Sequence, residues 1–269
     1  MPTGKEWPLS RLKPHAMVRL RLADWAGVAS IINEGIPFVT VCMQYQERYP
    51  GEIWVDAPAR PRTVLARFRK DAFAWGDLER ARGSRLLAGF RGTIAEVPGL
   101  RRLLNDLGVA YTDTPSILLT CRNSAPEAGP APFGYRLARV DQDNLNLLKR
   151  FWSEAYPAGI GDFLSDHEFL DRGFAFMGVH QASGQCVAAC AAIAVSRERC
   201  DYGLDTDPEH RGRGLRSLCA RACMAETLRR GKRPVWITEV TNAASRRVAA
   251  KAGLRAAQAV NVIVCSQSK

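Results

Sequence analysis

A glycine-rich turn between a strand pattern and a helix pattern constrains this chain more than any other feature. Residues 207–216 read D-P-E-H-R-G-R-G-L-R, between the β-rich segment Cys200–Thr206 and an apolar helical stripe that runs to about Arg230. Glycines adopt backbone angles closed to other residues and let a ligand approach the main chain closely. The first amides of a helix are free to bind an anion. The turn is therefore predicted to bind phosphate, with a diphosphate as the expected occupant.

The segments around this turn predict a mixed sheet. Pro234–Val240 is rich in β-forming residues, so it and Cys200–Thr206 should run parallel through a right-handed crossover. Upstream, Phe174–Gln181, Gln185–Val195 and Cys200–Thr206 are separated by short turn-like segments and predict an antiparallel meander. The expected fold class is α/β.

The length of the chain suggests two domains. It has 269 residues, and the proline-rich stretch Arg122–Pro132 lacks apolar periodicity, which is typical of a linker. We therefore expect an N-terminal α/β domain over residues 1–125 and a second domain over 132–269. Within the first half, Pro61–Phe73 and Val97–Leu107 are predicted as helices.

The positive charge is concentrated in one segment. The whole chain has 38 Lys and Arg against 27 Asp and Glu, a net charge of +11, and residues 211–255 hold twelve of these cations and two acids. A basic segment is typical of proteins that bind nucleic acid. These cations, however, surround the glycine-rich turn, and the segment lacks the interleaved aromatic residues on which single-strand binders stack bases. A compact polyanion such as a nucleotide cofactor fits better, and a solvated basic surface is the alternative.

Cysteine usage and hydropathy exclude several classes of protein. The eight cysteines include no Cys-x-x-Cys pair and no histidines at ligand spacing, so no metal site is expected. Most lie in apolar or alanine-rich stretches, which indicates reduced thiols and a cytoplasmic location. Met1–Arg11 lacks the apolar core of a secretory signal, and the longest apolar run, Cys186–Val195, covers about half of a bilayer span, so no membrane association is expected.

The turn matches one known phosphate-binding pattern. It is neither a P-loop nor a dinucleotide fingerprint, because G-x-x-x-x-G-K-[ST] is absent and no third glycine follows Gly214. Arg211–Arg216 instead resembles the pyrophosphate loop [RQ]-x-x-G-x-[GA] of the GNAT superfamily of acyl-CoA-dependent N-acetyltransferases. The match departs at the last position, where Arg216 replaces a small residue. Downstream, Asn242–Ser245 and Lys251–Leu254 resemble the N-x-x-[SA] and K-x-G-[FL] motifs of that superfamily, so the resemblance covers about Tyr135 to Val264.

Shorter motifs resemble a two-domain GNAT subfamily that includes zwittermicin-type antibiotic self-resistance acetyltransferases. They are Gly51–Asp56 with Pro58 and Pro61, Pro234-x-Trp236, and Asn242-x-x-Ser245. The resemblance implies a catalytic C-terminal GNAT fold with a mixed, splayed central sheet, and makes the N-terminal half a candidate degenerate copy of that fold. It implies acetyl transfer from acetyl-CoA to a primary amine of a small molecule, with antibiotics among the candidates. A protein or peptide amine as acceptor, and a non-catalytic module that binds acyl-CoA or nucleic acid, are the alternatives; a monomer and a homodimer are both compatible.

The resemblance also implies where the donor binds. The pantetheine arm should enter the gap between the two splayed strands and pair with main-chain groups, while the loop holds the diphosphate. The expected contacts are Leu204, Asp205 and Thr206 on the strand, Arg211, Gly212, Arg213, Gly214, Leu215 and Arg216 in the loop, and Asn242 and Ser245 in the final helix. Asn242 serves equally well as a simple helix N-cap, and Ser245 is similarly ambiguous.

Two carboxylates are candidates for the general base that removes the amine proton. Strand alternation puts Asp201 on the face opposite Tyr202, and it matches the strand position where relatives commonly carry an acid; pairing with an arginine at a sheet edge is the alternative. Glu239 on the neighbouring strand is the second candidate, with helix capping or pairing with a nearby arginine as its alternative. Ala249 occupies the place where many relatives carry a tyrosine that protonates the leaving thiolate, so Tyr202, water or no acid at all would serve instead.

The acceptor pocket is expected to form from the loop Trp152–Ser165 together with surfaces of the N-terminal half. Tyr156 and Asp162 in that loop offer an aromatic ring and a carboxylate that suit a cationic amine.

Overall fold

The polypeptide divides into two units, and the second carries the glycine-rich turn. The computed structural model describes residues 17–21, 24–25, 28, 52–68, 71–81, 85–121, 124–153, 160–161 and 163–266. Among these residues, the first unit comprises those up to Thr114 together with Val262–Ser266, and the second comprises Pro115–Asn261.

The first unit is built on an antiparallel sheet. Its strands follow one another in space as in sequence: β1 (Val18–Arg19), β2 (Glu52–Val55), β3 (Thr63–Phe68) and β4 (Asp71–Gly76). A further strand, β5 (Gly92–Ala95), pairs with residues 262–265 of β12 (Arg255–Ser266), and helix α1 (Leu100–Asp106) buries three leucines.

The helix predicted over Pro61–Phe73 is wrong, because this segment forms β3 and part of β4. Val64, Leu65 and Ala66 are all buried, with relative exposures of 1% or less. A short apolar run such as Val64–Ala66 fits a strand buried on both faces as well as it fits a helix. The segment is a strand because β3 pairs with both β2 and β4.

The second unit is built on a mixed sheet, as the sequence predicts. Its strands are β6 (Ala110–Thr120, from Pro115 onward), β7 (Tyr135–Arg139), β8 (Phe174–His180), β9 (Cys186–Val195), β10 (Arg199–Thr206), β11 (Arg233–Glu239) and the first part of β12. Their spatial order is β12-β6-β11-β10-β9-β8-β7. Strands β8, β9 and β10 form the predicted antiparallel meander, which β7 extends by pairing with β8, and β10 and β11 are parallel.

Four helices of the second unit cover this sheet and connect its strands: α2 (Leu145–Trp152), α3 (Asp166–Arg172), α4 (Leu215–Arg229) and α5 (Ala243–Lys251). β9 consists mostly of alanine, cysteine and valine, and these small side chains let α4 lie close to it. Cys223 Sγ on α4 donates to the carbonyl oxygen of Cys190 on β9 at 3.1 Å. None of the helices in the described ranges has the length and apolar character needed to cross a bilayer.

A buried carboxylate anchors the end of α4. Glu226 is 7% exposed and accepts from Arg229 at 2.7 Å, from Arg230 at 2.9 Å and from Arg139 of β7 at 3.3 Å. The pKa of Glu226 is lowered to about 2, and the main cause is hydrogen bonding from Arg229. Because Arg230 also donates to the carbonyl oxygens of Arg172 and Gly173, this cluster ties the end of α4 to the start of β8.

Candidate functional site

The parallel strands β10 and β11 separate partway along their length. Their residues pair at Arg199 with Arg233, at Cys200 with Pro234 and at Asp201 with Val235, and no further. Both strands then continue, β10 to Thr206 and β11 to Glu239. The sheet therefore opens into a gap beyond Asp201, which is the splay that the resemblance implies.

Asp201 lies at the point where the gap begins. The register between β9 and β10 shifts between Asp201 and Tyr202, which marks a β-bulge. Asp201 is 9% exposed, and its Oδ1 accepts from the amide of Tyr202 at 2.8 Å. A largely buried carboxylate therefore sits at the narrow end of the gap.

Glu239, the second candidate base, lies at the wide end of the gap. Its side chain is exposed, and its Oε2 accepts from the Thr241 hydroxyl at 3.4 Å. The two carboxylates therefore differ in both position and environment.

The glycine-rich turn presents free amides at the start of α4. A short 3-10 helix over Pro208–His210 leads into it, and Gly212 and Gly214 have φ angles of 76° and 81°. Residues other than glycine rarely adopt these angles. Within the described part of the chain, the amides of Gly212, Arg213 and Gly214 donate to no protein acceptor. The turn thus has the donors that an anion-binding loop requires.

A cavity of about 580 Å³ opens beside this turn and is lined by cations. Arg211, Arg213 and Arg216 contribute from the turn and the first residues of α4, and Arg247 and Lys251 contribute from α5. His210 and Thr206 complete its polar lining. A cavity with free amides and this concentration of positive charge suits a ligand with several phosphate groups.

Two polar atoms in the cavity wall have no hydrogen-bond partner within the part of the chain that the structure describes. Among the described residues, Thr206 Oγ1 and Arg216 Nε are buried without a hydrogen bond. Buried polar atoms usually have partners, so unsatisfied ones that line a cavity point to a polar ligand. These residues fit the diphosphate and adjacent atoms of an acyl-CoA.

Leu204, Asp205 and Thr206 lie on the β10 edge that borders the gap. The carbonyl oxygens of Leu204 and Thr206 accept from Arg216 Nη2 and Arg211 Nε, each at 3.3 Å. Asp205 is exposed, and its Oδ1 accepts from the amide of Thr206 at 2.7 Å. The predicted strand and loop residues therefore contact one another.

Asn242 and Ser245 do not line this cavity. Asn242 Oδ1 accepts from the amide of Ser245 at 2.9 Å, which is an N-cap of α5. The hydroxyl of Ser245 is buried and accepts from Trp236 Nε1 at 3.0 Å, which joins α5 to β11. Both side chains hold α5 in place beside the cavity.

Tyr202, which was considered as the acid for the thiolate, and the alanine at the usual tyrosine position both lie inside the fold. Ala249 is fully buried on α5. The hydroxyl of Tyr202 shares a hydrogen bond with that of Thr227 on α4, and burial raises the pKa of Tyr202 well above its usual value. This bond directs the Tyr202 hydroxyl into the packing against α4.

Tyr156 and Asp162, the predicted acceptor-binding residues, lie outside the described residues. The acceptor pocket therefore stays a prediction.

Asp207, Glu209 and His210 bring their ligand atoms within 4.8 Å of one another, a spacing that a metal ion could use. Two of these groups already have partners: Asp207 Oδ1 accepts from the amide of Glu209 at 2.9 Å, and His210 Nδ1 lies 2.9 Å from the Tyr135 hydroxyl. The cluster thus shapes the approach to the turn.

Arg247 and Lys251 line the cavity although neither was among the predicted site residues. Both were counted in the basic segment, but only the structure shows that they line the cavity. Their spacing of one helical turn on α5 was the available signal, since residues four apart share a helix face.

Comparisons with known proteins agree with this geometry. The family described as GNAT acetyltransferase matches residues 126–263. The chain is 29% identical over 124 residues to an uncharacterized N-acetyltransferase of Bacillus subtilis, and the match covers 46% of each protein. The chain thus spans less than half of the length of that relative.

Solved structures share this fold. A GCN5-related N-acetyltransferase-like protein from Streptococcus suis superposes with a TM-score of 0.62 at 20% identity, covering 91% of this chain and 99% of the other. A tandem GNAT protein from the clavulanic acid biosynthesis pathway gives a TM-score of 0.57 at 14% identity, with coverage of 94% and 99%. Since the family match takes in more than half of the residues, including the splayed strands and the cationic turn, the chain belongs to the GNAT acetyltransferase family.

Proposed function

We propose that this protein is an acetyl-CoA-dependent N-acetyltransferase that acetylates a primary amine of a small molecule. The observation that carries the proposal is the set of unbonded amides at Gly212–Gly214, next to five cations that line one cavity at the mouth of the gap. Nucleic acid is a weaker candidate, because these cations converge on a cavity instead of following an extended surface.

The residues of the chain fit the needs of direct acetyl transfer. Bound acetyl-CoA would supply an activated acetyl group. The turn and its arginines would hold the diphosphate, and the β10 edge would align the arm along the gap. Asp201, at the narrow end of the gap, would accept the proton of the attacking amine, directly or through water. With Ala249 at the usual tyrosine position, we propose that water protonates the leaving thiolate.

The acceptor class rests on the sequence resemblance. We propose a primary amine, with an amine-bearing antibiotic as one candidate and Tyr156 and Asp162 as its contacts. The reduced cysteines expected from the sequence favour the cytoplasm as the site of action.

Calorimetry separates the cofactor site from general charge attraction. Acetyl-CoA should bind at one equivalent per chain, whereas binding of a short DNA duplex should fall steeply with salt. Release of free thiol in the presence of a panel of diamines and aminopolyols then tests catalysis. If acetyl-CoA binds but none of the amines causes it to release free coenzyme A thiol, the proposed catalysis is contradicted.

Two neighbouring arginines of α5 give a matched control. Arg247 lines the cavity, whereas Arg246 donates to the carbonyl oxygen of Val240 at 3.0 Å and does not line it. Arg247→Ala should weaken acetyl-CoA binding roughly tenfold, since a hydrogen bond to a charged group is worth about 1.5–3 kcal/mol. Arg246→Ala removes the same charge and should leave this affinity near wild type. Equal losses in both variants would indicate a diffuse electrostatic surface instead of a site.

A further inference from the structure

The β10 edge that borders the gap is closed by side chains of the chain itself. Four of its main-chain groups have charged partners. Arg216 and Arg211 donate to the carbonyl oxygens of Leu204 and Thr206, and Asp201 and Asp205 accept from the amides of Tyr202 and Thr206. A ligand that pairs with this edge must therefore displace at least one of these contacts.

Arg216 is the side chain best placed to respond to a ligand. It lies in the first turn of α4 and lines the cavity beside the free amides. Its Nη2 donates to the Leu204 carbonyl oxygen, while its Nε is buried without a partner among the described residues. Burial also lowers the pKa of this guanidinium. A half-buried arginine with an unsatisfied donor forms strong charge-assisted hydrogen bonds with an anion. A phosphate in the cavity should therefore compete with the Leu204 carbonyl oxygen for the Arg216 guanidinium.

We propose that Arg216 makes entry of a thioester arm along β10 conditional on a diphosphate in the adjacent turn. This inference rests on the proposed function and concerns the choice of donor. In the free protein, Arg216 occupies the space beside the Leu204 carbonyl oxygen that a pairing arm needs. A diphosphate on the turn draws the guanidinium away and frees that edge. Intact coenzyme A thioesters are then accepted, and thioesters without a diphosphate are poor ligands.

The sequence gives this role to Arg216 specifically. The loop pattern that Arg211–Arg216 resembles has a small residue at the last position, which cannot reach the Leu204 carbonyl. Arg213 is the natural comparison, because it is a cation of the same turn but its guanidinium lies 5.9 Å from the centre of the Tyr135 ring instead of contacting β10. Comparing variants of Arg213 and Arg216 therefore distinguishes attraction of phosphate from control of access to the β10 edge.

Binding of S-acetylpantetheine with and without inorganic pyrophosphate, measured by calorimetry, tests the proposal without catalysis. In the wild type, saturating pyrophosphate should tighten S-acetylpantetheine binding by about tenfold, and S-acetylpantetheine should tighten pyrophosphate binding equally, because such coupling is reciprocal. Arg216→Ala should bind S-acetylpantetheine tightly in either condition. Arg213→Ala should bind pyrophosphate more weakly yet keep the coupling.

The outcomes separate this proposal from the proposed function. If acetyl-CoA does not bind the wild type at all, the proposed function fails. If acetyl-CoA binds but pyrophosphate leaves the affinity for S-acetylpantetheine unchanged, only the role of Arg216 fails, and this measurement needs no variant. Thermal unfolding checks that Arg216→Ala is folded, and Arg216→Gln replaces it if it is not. A folded variant whose coupling equals that of the wild type also overturns the proposal.

Discussion

At the scale of single residues, environment distinguishes the two candidate bases. Asp201 is largely buried at the narrow end of the gap and is held by the Tyr202 amide, whereas Glu239 is exposed at the other end. A buried, oriented carboxylate is better suited to take a proton from a positioned amine than one that rotates in water. We therefore assign the proposed base role to Asp201.

Asp201→Asn should lower kcat by about a hundredfold, in line with the usual contribution of a general base of 10²–10⁴-fold. The loss should persist across the pH range in which the wild type is active, because an asparagine amide does not accept the amine proton at any of these pH values. Acetyl-CoA affinity, measured by calorimetry, should change little.

Glu239→Gln serves as the control and should retain activity. A loss of about a hundredfold in Glu239→Gln, with activity retained in Asp201→Asn, would transfer the role to Glu239.

Glu226 gives the fold a measurable dependence on acid. Its pKa is lowered in the folded state to about 2 from an ordinary value of 4.5, so the ionised form stabilises the fold above the ordinary value. That stabilisation should be lost as pH falls from about 4.5 towards 2. Glu226→Gln should lower the free energy of unfolding by about 2 kcal/mol near neutral pH.

Urea unfolding of wild type and Glu226→Gln across this pH range measures the difference. The difference in free energy of unfolding between the two proteins should become smaller as pH falls. A difference that stays constant would show that the arginine cluster contributes through packing instead of charge.

At the scale of elements, the two ends of α4 use glycine for different purposes. Gly214 precedes the helix at φ 81° and Gly231 follows it at φ 67°, and an added Cβ would meet open space at either position. The backbone strain of a substitution is therefore similar at the two positions. Of these two glycines, Gly214 lies in the cavity wall and Gly231 does not.

Gly214→Ala and Gly231→Ala should each cost roughly 1 kcal/mol of stability, because a side chain is strained at positive φ. Only Gly214→Ala should weaken acetyl-CoA binding, since its relaxation would turn the loop amides away from the ligand. Thermal unfolding and calorimetry measure the two effects. Comparable losses of affinity in both would mean that helix stability, not loop geometry, controls binding.

The elements of the second unit were largely predictable because their signals are local. Short turns between β8, β9 and β10 predict the meander, and the crossover through α4 predicts the parallel pair. In contrast, Pro61–Phe73 was predicted as a helix, because apolar spacing in a short run fits both structures. The partner strands that make it β3 and β4 leave no signal within the segment itself.

At the scale of the whole molecule, the strand before the linker belongs with the sequence after it. Residues 116–120 of β6 pair with β11. The Thr120 hydroxyl donates to the carbonyl oxygen of Pro234, which is 114 residues away in the sequence. The amide of Val240 donates to the carbonyl oxygen of Pro115. The sequence did not indicate this strand, because Pro115 lies inside it and its partner is distant. The predicted domain start at residue 132 leaves out β6.

A chain shortened to residues 132–269 should therefore be less stable and more prone to aggregate than one of residues 110–269. Without β6, one edge of β11 has no partner, and an unpaired edge invites association with other chains. Size-exclusion chromatography and thermal unfolding compare the two chains. Equal melting temperatures and elution as single species would contradict this role of β6.

The charged side chains along β10 have a further consequence for the protein when no ligand is bound. A bare strand inside an open cleft is a template for foreign peptides, and cells contain many extended segments that could occupy it. Because Asp201, Asp205, Arg211 and Arg216 already engage the polar groups of this strand, an intruding peptide would have to compete with four charged contacts. These contacts therefore protect the strand from pairing with an extended peptide when no ligand is bound.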